Sequence, residues 1–364
     1  MEQNKFHKSF KLNGSAFTSV DELLKFSNHI SVDIFQFLKN WFANDKNITV
    51  KTSGSTGAPK LIQLKKELMV NSALATGVFF NLAEKTTALL CLPMQYIAGK
   101  MMLIRALTLG WHLDVVASNS NPLAIIEKQY DFSAMVPLQL ENSLPKISLI
   151  KKLIVGGGSV SNALQDKLQN ISTEVFATYG MTETITHIAV KQLNNNSSLR
   201  SGMTKQSFYL SLPNVTIYKD QRNCLVINAP KVAEEIIFTN DVVELISDKH
   251  FEWLGRFDNV INSGGVKLHP EKIEEKLSQI LDNRFFVTGI QDDKLGEKLV
   301  LVIEENSENV ISSTIEKSIF DAINALTSLT KFEKPKEIYF TERFIETETG
   351  KIQRIKTLQK IFTK

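Results

Sequence analysis

A segment rich in glycine and hydroxyl side chains directly follows the apolar run 48–50, which predicts a β-strand. Its glycines allow tight turns that aim N–H groups inward, and its hydroxyls and lysine add donors and charge, which together suit a polyphosphate. It is not a Walker A loop, because the residue five after Gly54 is Pro59 rather than glycine. The segment covers residues 52–60 and reads Thr-Ser-Gly-Ser-Thr-Gly-Ala-Pro-Lys. The specific order of these nine residues favours a phosphate-binding loop over an ordinary polar turn. The candidate residues in this segment are Thr52, Ser53, Gly54, Ser55, Thr56, Gly57 and Lys60.

A second glycine cluster, residues 156–158, lies between a predicted strand at 151–155 and a predicted helix that begins near Ser161. Gly156, Gly158 and Glu174 lie near the offsets of a dinucleotide-binding pattern, but Ser161 occupies the third glycine position. We therefore favour a tight strand-to-helix turn close to a ligand over a nicotinamide site.

A third segment, residues 179–184, reads Tyr-Gly-Met-Thr-Glu-Thr and also follows a predicted strand. Ligands of open α/β sheets bind at the carboxyl ends of strands, so this turn can present an aromatic ring, a hydroxyl and a carboxylate to a nucleotide and its Mg²⁺. Two later segments carry further candidates: Gly-Arg-Phe-Asp-Asn-Val-Ile-Asn-Ser-Gly-Gly at 255–265, and Thr-Gly-Lys-Ile at 349–352.

The elements that must position these segments alternate between strand and helix over much of the chain. Ser19 and Glu22 form a capping-box pattern that opens a helix, and an apolar face over 34–42 predicts a second one. From residue 48, short apolar runs alternate with amphipathic stretches, which is typical of a mostly parallel, doubly wound sheet. These runs are 48–50, 88–92, 113–116, 132–136, 153–155 and 175–177.

The pattern changes after about residue 200. Runs at 225–228 and 242–247 predict antiparallel hairpins, and a smaller α+β unit follows residue 255. Its predicted helices cover 270–280 and 310–326, and its predicted strands cover 285–290, 299–304 and 337–341. The predicted class is α/β, with a large domain at 1–257 and a small, mobile lid domain at 258–364.

The composition excludes several classes of protein. A chain of 364 residues is long enough for two or three domains of ~150 residues, and 43% hydrophobic with 22% charged residues is ordinary for a globular protein. The 42 basic and 39 acidic residues are too balanced to form the dense basic face of a nucleic-acid-binding protein. Two cysteines exclude a disulfide framework and a cysteine-built zinc site. We expect a cytoplasmic protein without a signal peptide or membrane span.

Taken together and in this order, the motifs resemble those of the adenylate-forming superfamily, which includes acyl- and aryl-CoA ligases and peptide-synthetase adenylation domains. The resemblance covers about residues 48–356. It implies that ATP activates a carboxylate to an acyl-adenylate, releasing pyrophosphate, and that the acyl group then passes to a thiol, commonly that of coenzyme A. The chain is shorter than most members, and the shortage lies before the phosphate loop, which implies a reduced N-terminal subdomain.

The resemblance also implies a role for each matched residue. Residues 53–60 would hold the β- and γ-phosphates, and Lys351 would bridge the substrate carboxylate and the α-phosphate. Rotation about the hinge Asp258 would withdraw Lys351 and present another face to coenzyme A. The remaining assignments are Thr182 to the α-phosphate, Glu183 to Mg²⁺, Gly156, Gly157, Tyr179 and Gly180 to the adenine and acyl pocket, Asp241 and Arg256 to the ribose, and Ser263, Gly264 and Gly265 to the coenzyme A side.

Two motifs depart from the family pattern. Asn240 stands where the family usually has glycine in Thr-Gly-Asp, and residues 345–347 read Ile-Glu-Thr instead of Pro-Arg-Thr. The ribose and C-terminal assignments therefore rest on weaker matches than the phosphate loop.

Residues 92–107 and 135–140 resemble the corresponding segments of o-succinylbenzoate-CoA ligases, which act in menaquinone biosynthesis. A substrate with two carboxylates needs a partner for the one that is not activated, because a buried anion requires a cation or strong donors. Arg105, on an otherwise apolar helix, is the candidate, and a structural salt bridge is its alternative role. Tyr96 and His187 are further acyl-pocket candidates, although the sequence favours a hydrogen-bonded core position for His187.

Other functions remain open at this stage. Within the same chemistry, the chain can be a ligase for another aryl or fatty acid, or an adenylation enzyme that loads a carrier-protein thiol. A nicotinamide dehydrogenase built on the Gly156 turn would leave the other motifs as coincidence. A catalytically inactive nucleotide-binding protein would not need Lys60, Glu183 and Lys351 together.

Overall fold

The computed structural model describes residues 5–51, 61–194, 208–305, 313–347 and 352–363. Short 3₁₀ helices cover Leu144–Leu149, Thr182–Thr184, Phe257–Asn259 and Lys331–Glu333. The α-helices of these residues are α1 (Val20–Ile30), α2 (Val32–Phe42), α3 (Lys66–Phe80), α4 (Ile97–Leu109), α5 (Pro137–Ser143), α6 (Asn162–Leu168), α7 (Pro270–Leu277), α8 (Ser313–Ala325) and α9 (Arg354–Phe362).

The strands form one large mixed sheet, one smaller sheet and a two-stranded ribbon. In chain order they are β1 (Lys11–Leu12), β2 (Ser15–Ala16), β3 (Asn47–Lys51), β4 (Leu61–Lys65), β5 (Thr87–Leu90), β6 (His112–Val115), β7 (Tyr130–Met135), β8 (Ile150–Val155), β9 (Glu174–Gly180), β10 (His187–Gln192), β11 (Tyr209–Ser211), β12 (Thr216–Lys219), β13 (Cys224–Asn228), β14 (Ile237–Leu245), β15 (His250–Arg256), β16 (Ile261–Ser263), β17 (Val266–Leu268), β18 (Phe285–Asp292), β19 (Gly296–Glu304) and β20 (Glu337–Thr341).

The large sheet has the order β12-β13-β14-β15-β11-β10-β9-β8-β7-β5-β6-β1-β2 in the described residues. Strands β9, β8, β7, β5 and β6 run parallel, as the alternating pattern predicts, and the strands from β10 to β15 pair antiparallel. The change of direction comes at β9 and β10, which are joined by the Tyr-Gly-Met-Thr-Glu-Thr motif. That motif therefore lies where the parallel part of the sheet meets the antiparallel part.

Helices cover both faces of the parallel part, so alternate residues of its strands enter different hydrophobic clusters. On β5, Ala88 and Leu90 belong to the cluster under α3 and α4, whereas Leu89 belongs to the cluster under α5 and α6. Burial on both faces explains why these strands read as continuous apolar runs. The predicted α/β class with a doubly wound sheet is confirmed.

The run at 48–50 was expected to belong to the parallel sheet, and this expectation is wrong. Strand β3 instead pairs antiparallel with β4 in a separate ribbon. Only nine residues separate the two strands, and a parallel crossover needs a dozen or more. Strands β1 and β2, which were not predicted, extend the large sheet beyond β6, with β2 at its edge.

The residues after Asp258 have a sheet and a core of their own. The order is β17-β16-β19-β18, with β20 parallel to β19, and helices α7 and α8 pack on this sheet. Helix α7 also lies against β15 and α6: Lys272 forms an ion pair with Glu252, and the side-chain amide of Asn162 donates to the carbonyl of Glu275. A domain boundary near Asp258 agrees with this arrangement and remains a prediction.

Candidate active site

Tyr179 and Asp241, both assigned to the nucleotide, meet at the carboxyl end of β9. The Tyr179 hydroxyl donates to Oδ2 of Asp241 at 2.7 Å, and the indole N–H of Trp253 donates to Oδ1 at 3.2 Å. Burial and the Asp241 charge raise the pKa of Tyr179 well above its usual value, so the phenol keeps its proton and acts as a donor. Asp241 is thereby fixed in one orientation with acceptor capacity to spare.

Arg256 lies between the aspartates of the ribose and hinge assignments. Its Nη1 is 3.5 Å from Oδ1 of Asp241, and its Nη2 is 3.5 Å from Oδ2 of Asp258. Asn240, which replaces the family's glycine, donates from Nδ2 to the same Oδ2 of Asp258 at 3.3 Å. Arg222 in turn donates to Oδ1 of Asn240. The departure at Asn240 thus links β14 to Asp258, the residue assigned as the hinge.

The turn after Tyr179 is tight and contains backbone strain. A Cβ on Gly180 would lie 2.2 Å from the carbonyl oxygen of Thr186, so only glycine fits there. Ile185 has φ 65° and ψ −60°, and the N–H of Thr186 donates to the carbonyl of Thr184 across it, forming a classic γ-turn. A β-branched residue in this conformation is strained, and such strain concentrates at functional sites. The preceding 3₁₀ turn carries Thr182 and the exposed Glu183.

The Gly156 turn lies directly beside this motif. It follows β8, where the N–H of Gly156 donates to the carbonyl of Met135, and Gly157 has φ +82°. A Cβ on Gly156 would lie 2.5 Å from Oγ1 of Thr178, immediately before Tyr179. The structure therefore brings the second and third motifs together at the carboxyl ends of neighbouring strands.

Arg105 is the most unusual charged residue of the described chain, because its side chain is 1% exposed. Its Nε donates to Oγ1 of Thr76 at 3.2 Å, and its Nη2 lies 3.5 Å from Nδ1 of His187. Burial lowers the pKa of Arg105 to about 9, which still leaves it protonated at neutral pH. No acidic side chain of the described residues pairs with it, so a structural salt bridge is not formed within that part of the chain.

His187 lies between this buried cation and the Tyr-Gly-Met-Thr-Glu-Thr motif. It begins β10, where it pairs with Gly180 of β9. Burial and the charge of Arg105 hold the pKa of His187 well below its usual value, so the ring is neutral. Its Nε2 is buried and has no hydrogen-bond partner among the described residues. The alternative of a fully hydrogen-bonded core histidine therefore does not describe this side chain.

The remaining predicted residues lie at the edges of this arrangement or outside the described chain. Tyr96 precedes α4 and is half exposed. Ser263 ends β16, and Gly264 and Gly265 form the turn to β17. Residues 52–60, with the phosphate-loop candidates, and Lys351 lie outside the described residues.

Two residues with direct contacts at the site were missed from the sequence. Trp253 donates to Asp241, and its position two residues before Gly255 in a predicted hairpin gave no chemical signal. Thr76, on α3, accepts a hydrogen bond from Arg105. In the sequence, a threonine between small residues indicates only ordinary helix packing. Only the pairing of distant segments reveals either contact.

Comparison with known proteins tests the predicted family. Residues 43–219 match the model of the AMP-binding enzyme family. The chain is 36% identical to an acyl-CoA synthetase (AMP-forming)/AMP-acid ligase II-like protein of Dyadobacter fermentans, and the match covers 90% of this chain and 93% of that one, with a TM-score of 0.59. The chain belongs to the family of AMP-binding, adenylate-forming enzymes.

Other members of this AMP-binding family are more distant. A 2-succinylbenzoate–CoA ligase of Listeria monocytogenes is 25% identical over 338 residues, which cover 88% of this chain and 71% of that protein. The o-succinylbenzoate coenzyme A synthetase of Bacillus subtilis, solved with ATP and a magnesium ion, shares the fold at 19% identity and a TM-score of 0.69, covering 85% of this chain and 69% of that one. The predicted superfamily is confirmed.

Proposed function

We propose that this AMP-binding enzyme activates o-succinylbenzoate with ATP and transfers the acyl group to coenzyme A, a step of menaquinone biosynthesis. The buried side chain of Arg105 is the main support for this substrate. It is a cation without an acidic partner in the described residues, and it lies beside β10, the strand that pairs with the Tyr-Gly-Met-Thr-Glu-Thr motif at the end of β9. A buried charge is costly unless it is paired. A dicarboxylate substrate supplies that partner with the carboxylate that is not activated.

The names of relatives agree with this substrate. Several relatives named 2-succinylbenzoate–CoA ligase match most of the chain at 23–25% identity. Identity at this level supports the chemistry more strongly than the choice of acid, so the Arg105 contact is the more direct argument.

We assign the nucleotide-binding roles to residues on both sides of the β9 turn. Asp241 would accept hydrogen bonds from the ribose hydroxyls, and Tyr179, Trp253 and Arg256 hold its carboxylate in place. Gly156 and Gly157 would border the adenine, and Thr182 would donate to the α-phosphate. Residues 53–60 would hold the β- and γ-phosphates.

The reaction would proceed in two balanced steps. A carboxylate oxygen attacks the α-phosphorus, a new P–O bond forms, and the bond to the bridging oxygen breaks with release of pyrophosphate. The coenzyme A thiolate then attacks the acyl carbonyl, and AMP leaves with the electron pair of the broken C–O bond. Lys351 would stabilise the charge that develops on the α-phosphate in the first step.

The described residues fit a magnesium ion that is held mainly by phosphate. They contain no cluster of three His, Cys, Asp or Glu side chains able to hold a metal. The exposed Glu183 supplies one carboxylate beside the proposed α-phosphate site, and Mg²⁺ in nucleotide sites typically uses one or two carboxylates plus phosphate oxygens. When bound, the ion neutralises charge on the phosphates.

We further propose that residues 258–364 act as a lid domain with its hinge at Asp258. Ser263, Gly264 and Gly265 would face coenzyme A after rotation, and Lys351 would be withdrawn.

No helix of the described residues is long and apolar enough to cross a membrane.

Pyrophosphate release tests the function directly. The purified protein is assayed with Mg²⁺, ATP and a carboxylate panel, each with and without coenzyme A, and thioesters are detected by mass spectrometry. We expect selective release with o-succinylbenzoate and a new coenzyme A thioester. Release with another acid would discard this substrate, and adenylation without a thioester would favour a carrier-protein acceptor.

A further inference from the structure

Within the described residues, the imidazole of His187 has hydrogen-bond partners on one nitrogen only. Its Nδ1 lies 3.5 Å from Nη2 of Arg105 and 3.3 Å from Oγ1 of Thr186. A guanidinium donates and never accepts, so Nδ1 is an acceptor. The ring is neutral, because burial and the Arg105 charge disfavour its protonation. A neutral imidazole that accepts at Nδ1 carries its proton on Nε2.

That Nε2–H group is the unpaired atom. It is buried and finds no acceptor among the described residues, although His187 is only 5% exposed. Buried donors are almost always paired, so an unpaired one calls for a partner outside the described residues, and a bound substrate can supply it. Arg105 lies against the same ring, so the unpaired donor and the buried cation are side by side.

We propose that His187 is a specificity-determining residue whose Nε2–H donates a hydrogen bond to the same substrate carboxylate that Arg105 binds. The proposal rests on the function proposed above. A neutral donor adds direction to the contact without a second buried positive charge, which would itself be costly next to Arg105. Arg105 then supplies the positive charge and its N–H donors, and His187 supplies one further donor to the same buried carboxylate.

Two conservative variants separate this role from a purely structural one. In H187N, the amide oxygen of asparagine lies about as far along the side chain as Nδ1 of histidine. The variant therefore keeps an acceptor for Arg105 and loses the donor at the Nε2 position. Glutamine in H187Q places an amide N–H at the depth of Nε2. We expect H187N to raise KM for o-succinylbenzoate by about tenfold to a hundredfold with kcat little changed, and H187Q to remain close to wild type.

The controls are 4-oxo-4-phenylbutanoate and 2-butanoylbenzoate, each of which lacks one of the two carboxylates. For whichever of them the wild type adenylates, H187N should leave KM unchanged. If His187 only orients Arg105, the order reverses, with H187Q impaired and H187N normal, and the proposal is overturned. Equal KM changes for mono- and dicarboxylates would overturn it as well.

A measurement on the wild type covers the case in which a variant fails to fold. Imidazole ¹⁵N NMR should show a neutral ring protonated at Nε2, and its Nε2–H resonance should shift when o-succinylbenzoate binds. A ring protonated at Nδ1, or an unchanged Nε2–H signal at saturation, would contradict the proposal. If the wild type neither binds nor adenylates o-succinylbenzoate, the proposed function itself fails, which these readouts distinguish from failure of the His187 contact alone.

Discussion

The hydroxyl of Tyr179 donates to the carboxylate of Asp241 at 2.7 Å, although the two lie 62 positions apart in the chain. One belongs to the turn at the end of the parallel strands and the other to an antiparallel hairpin. This contact joins the two parts of the large sheet at the point where we place the nucleotide.

Removing that hydroxyl should weaken ATP binding. Y179F deletes one donor to a buried carboxylate, and hydrogen bonds to charged groups are worth ~1.5–3 kcal/mol, so we expect KM for ATP to rise about tenfold or more. Pyrophosphate exchange measures this effect. Y218F is the control, because Tyr218 is exposed on β12, and an equal effect of both variants would place the ribose elsewhere.

Lys351 should be needed for adenylation and not for nucleotide binding. K351A removes a cation from the proposed α-phosphate site, and loss of one such group costs on the order of 10²–10³ in rate. ATP affinity, measured by calorimetry, should change little. K356A removes an exposed lysine of α9 and should behave as wild type. Undiminished adenylation by K351A would show that the C-terminal motif is misassigned.

The buried charge of Arg105 should make the ligand-free protein less stable than it could be. R105M replaces an unpaired cation by an apolar side chain of similar length. Replacement of buried ion pairs by apolar residues often stabilises a protein by ~1–4 kcal/mol, and an unpaired buried charge lacks even the attraction of a pair. Urea unfolding measures the difference. We expect R105M to be the more stable protein without substrate, and o-succinylbenzoate to stabilise only the wild type. A less stable R105M would indicate that Arg105 has an anionic partner within the protein.

His187 should make stability depend on pH. Its folded pKa is depressed, so below about pH 6.5 the unfolded chain takes up a proton that the folded protein does not. The free energy of unfolding of the wild type should therefore fall as pH decreases through this range. H187Q removes the contribution, so the difference between the two proteins should change between about pH 7 and pH 5. Parallel curves would show that His187 titrates normally.

Local sequence patterns predicted most of the fold. Ser19 accepts from the N–H of Glu22 at the start of α1, and strand β20 covers residues 337–341 as expected. The predicted pairing of residues 48–50 was wrong, because an apolar run does not indicate which strand it will pair with. The short connection between β3 and β4 determines that they pair antiparallel. Strands of two residues, such as β1 and β2, carry too little pattern to be recognised.

The candidate site was predicted at the level of segments but not of contacts. Tyr179, Asp241 and Arg256 follow from motif resemblance, whereas Trp253 becomes visible only when β14 and β15 pair. For Arg105, the sequence left a salt bridge and a substrate carboxylate open. Burial without an acidic partner in the described chain is a property of the folded structure, and it favours the substrate.

The substrate preference of R105M tests whether Arg105 selects a dicarboxylate. The measurement is kcat/KM for adenylation of o-succinylbenzoate and of the monocarboxylate analogue that the wild type accepts. If Arg105 binds the second carboxylate, kcat/KM should fall about a hundredfold or more for the dicarboxylate, which is worth ~3 kcal/mol, and change little for the monocarboxylate. Equal losses for both acids, or no loss for either, would contradict the claim that Arg105 binds the second carboxylate.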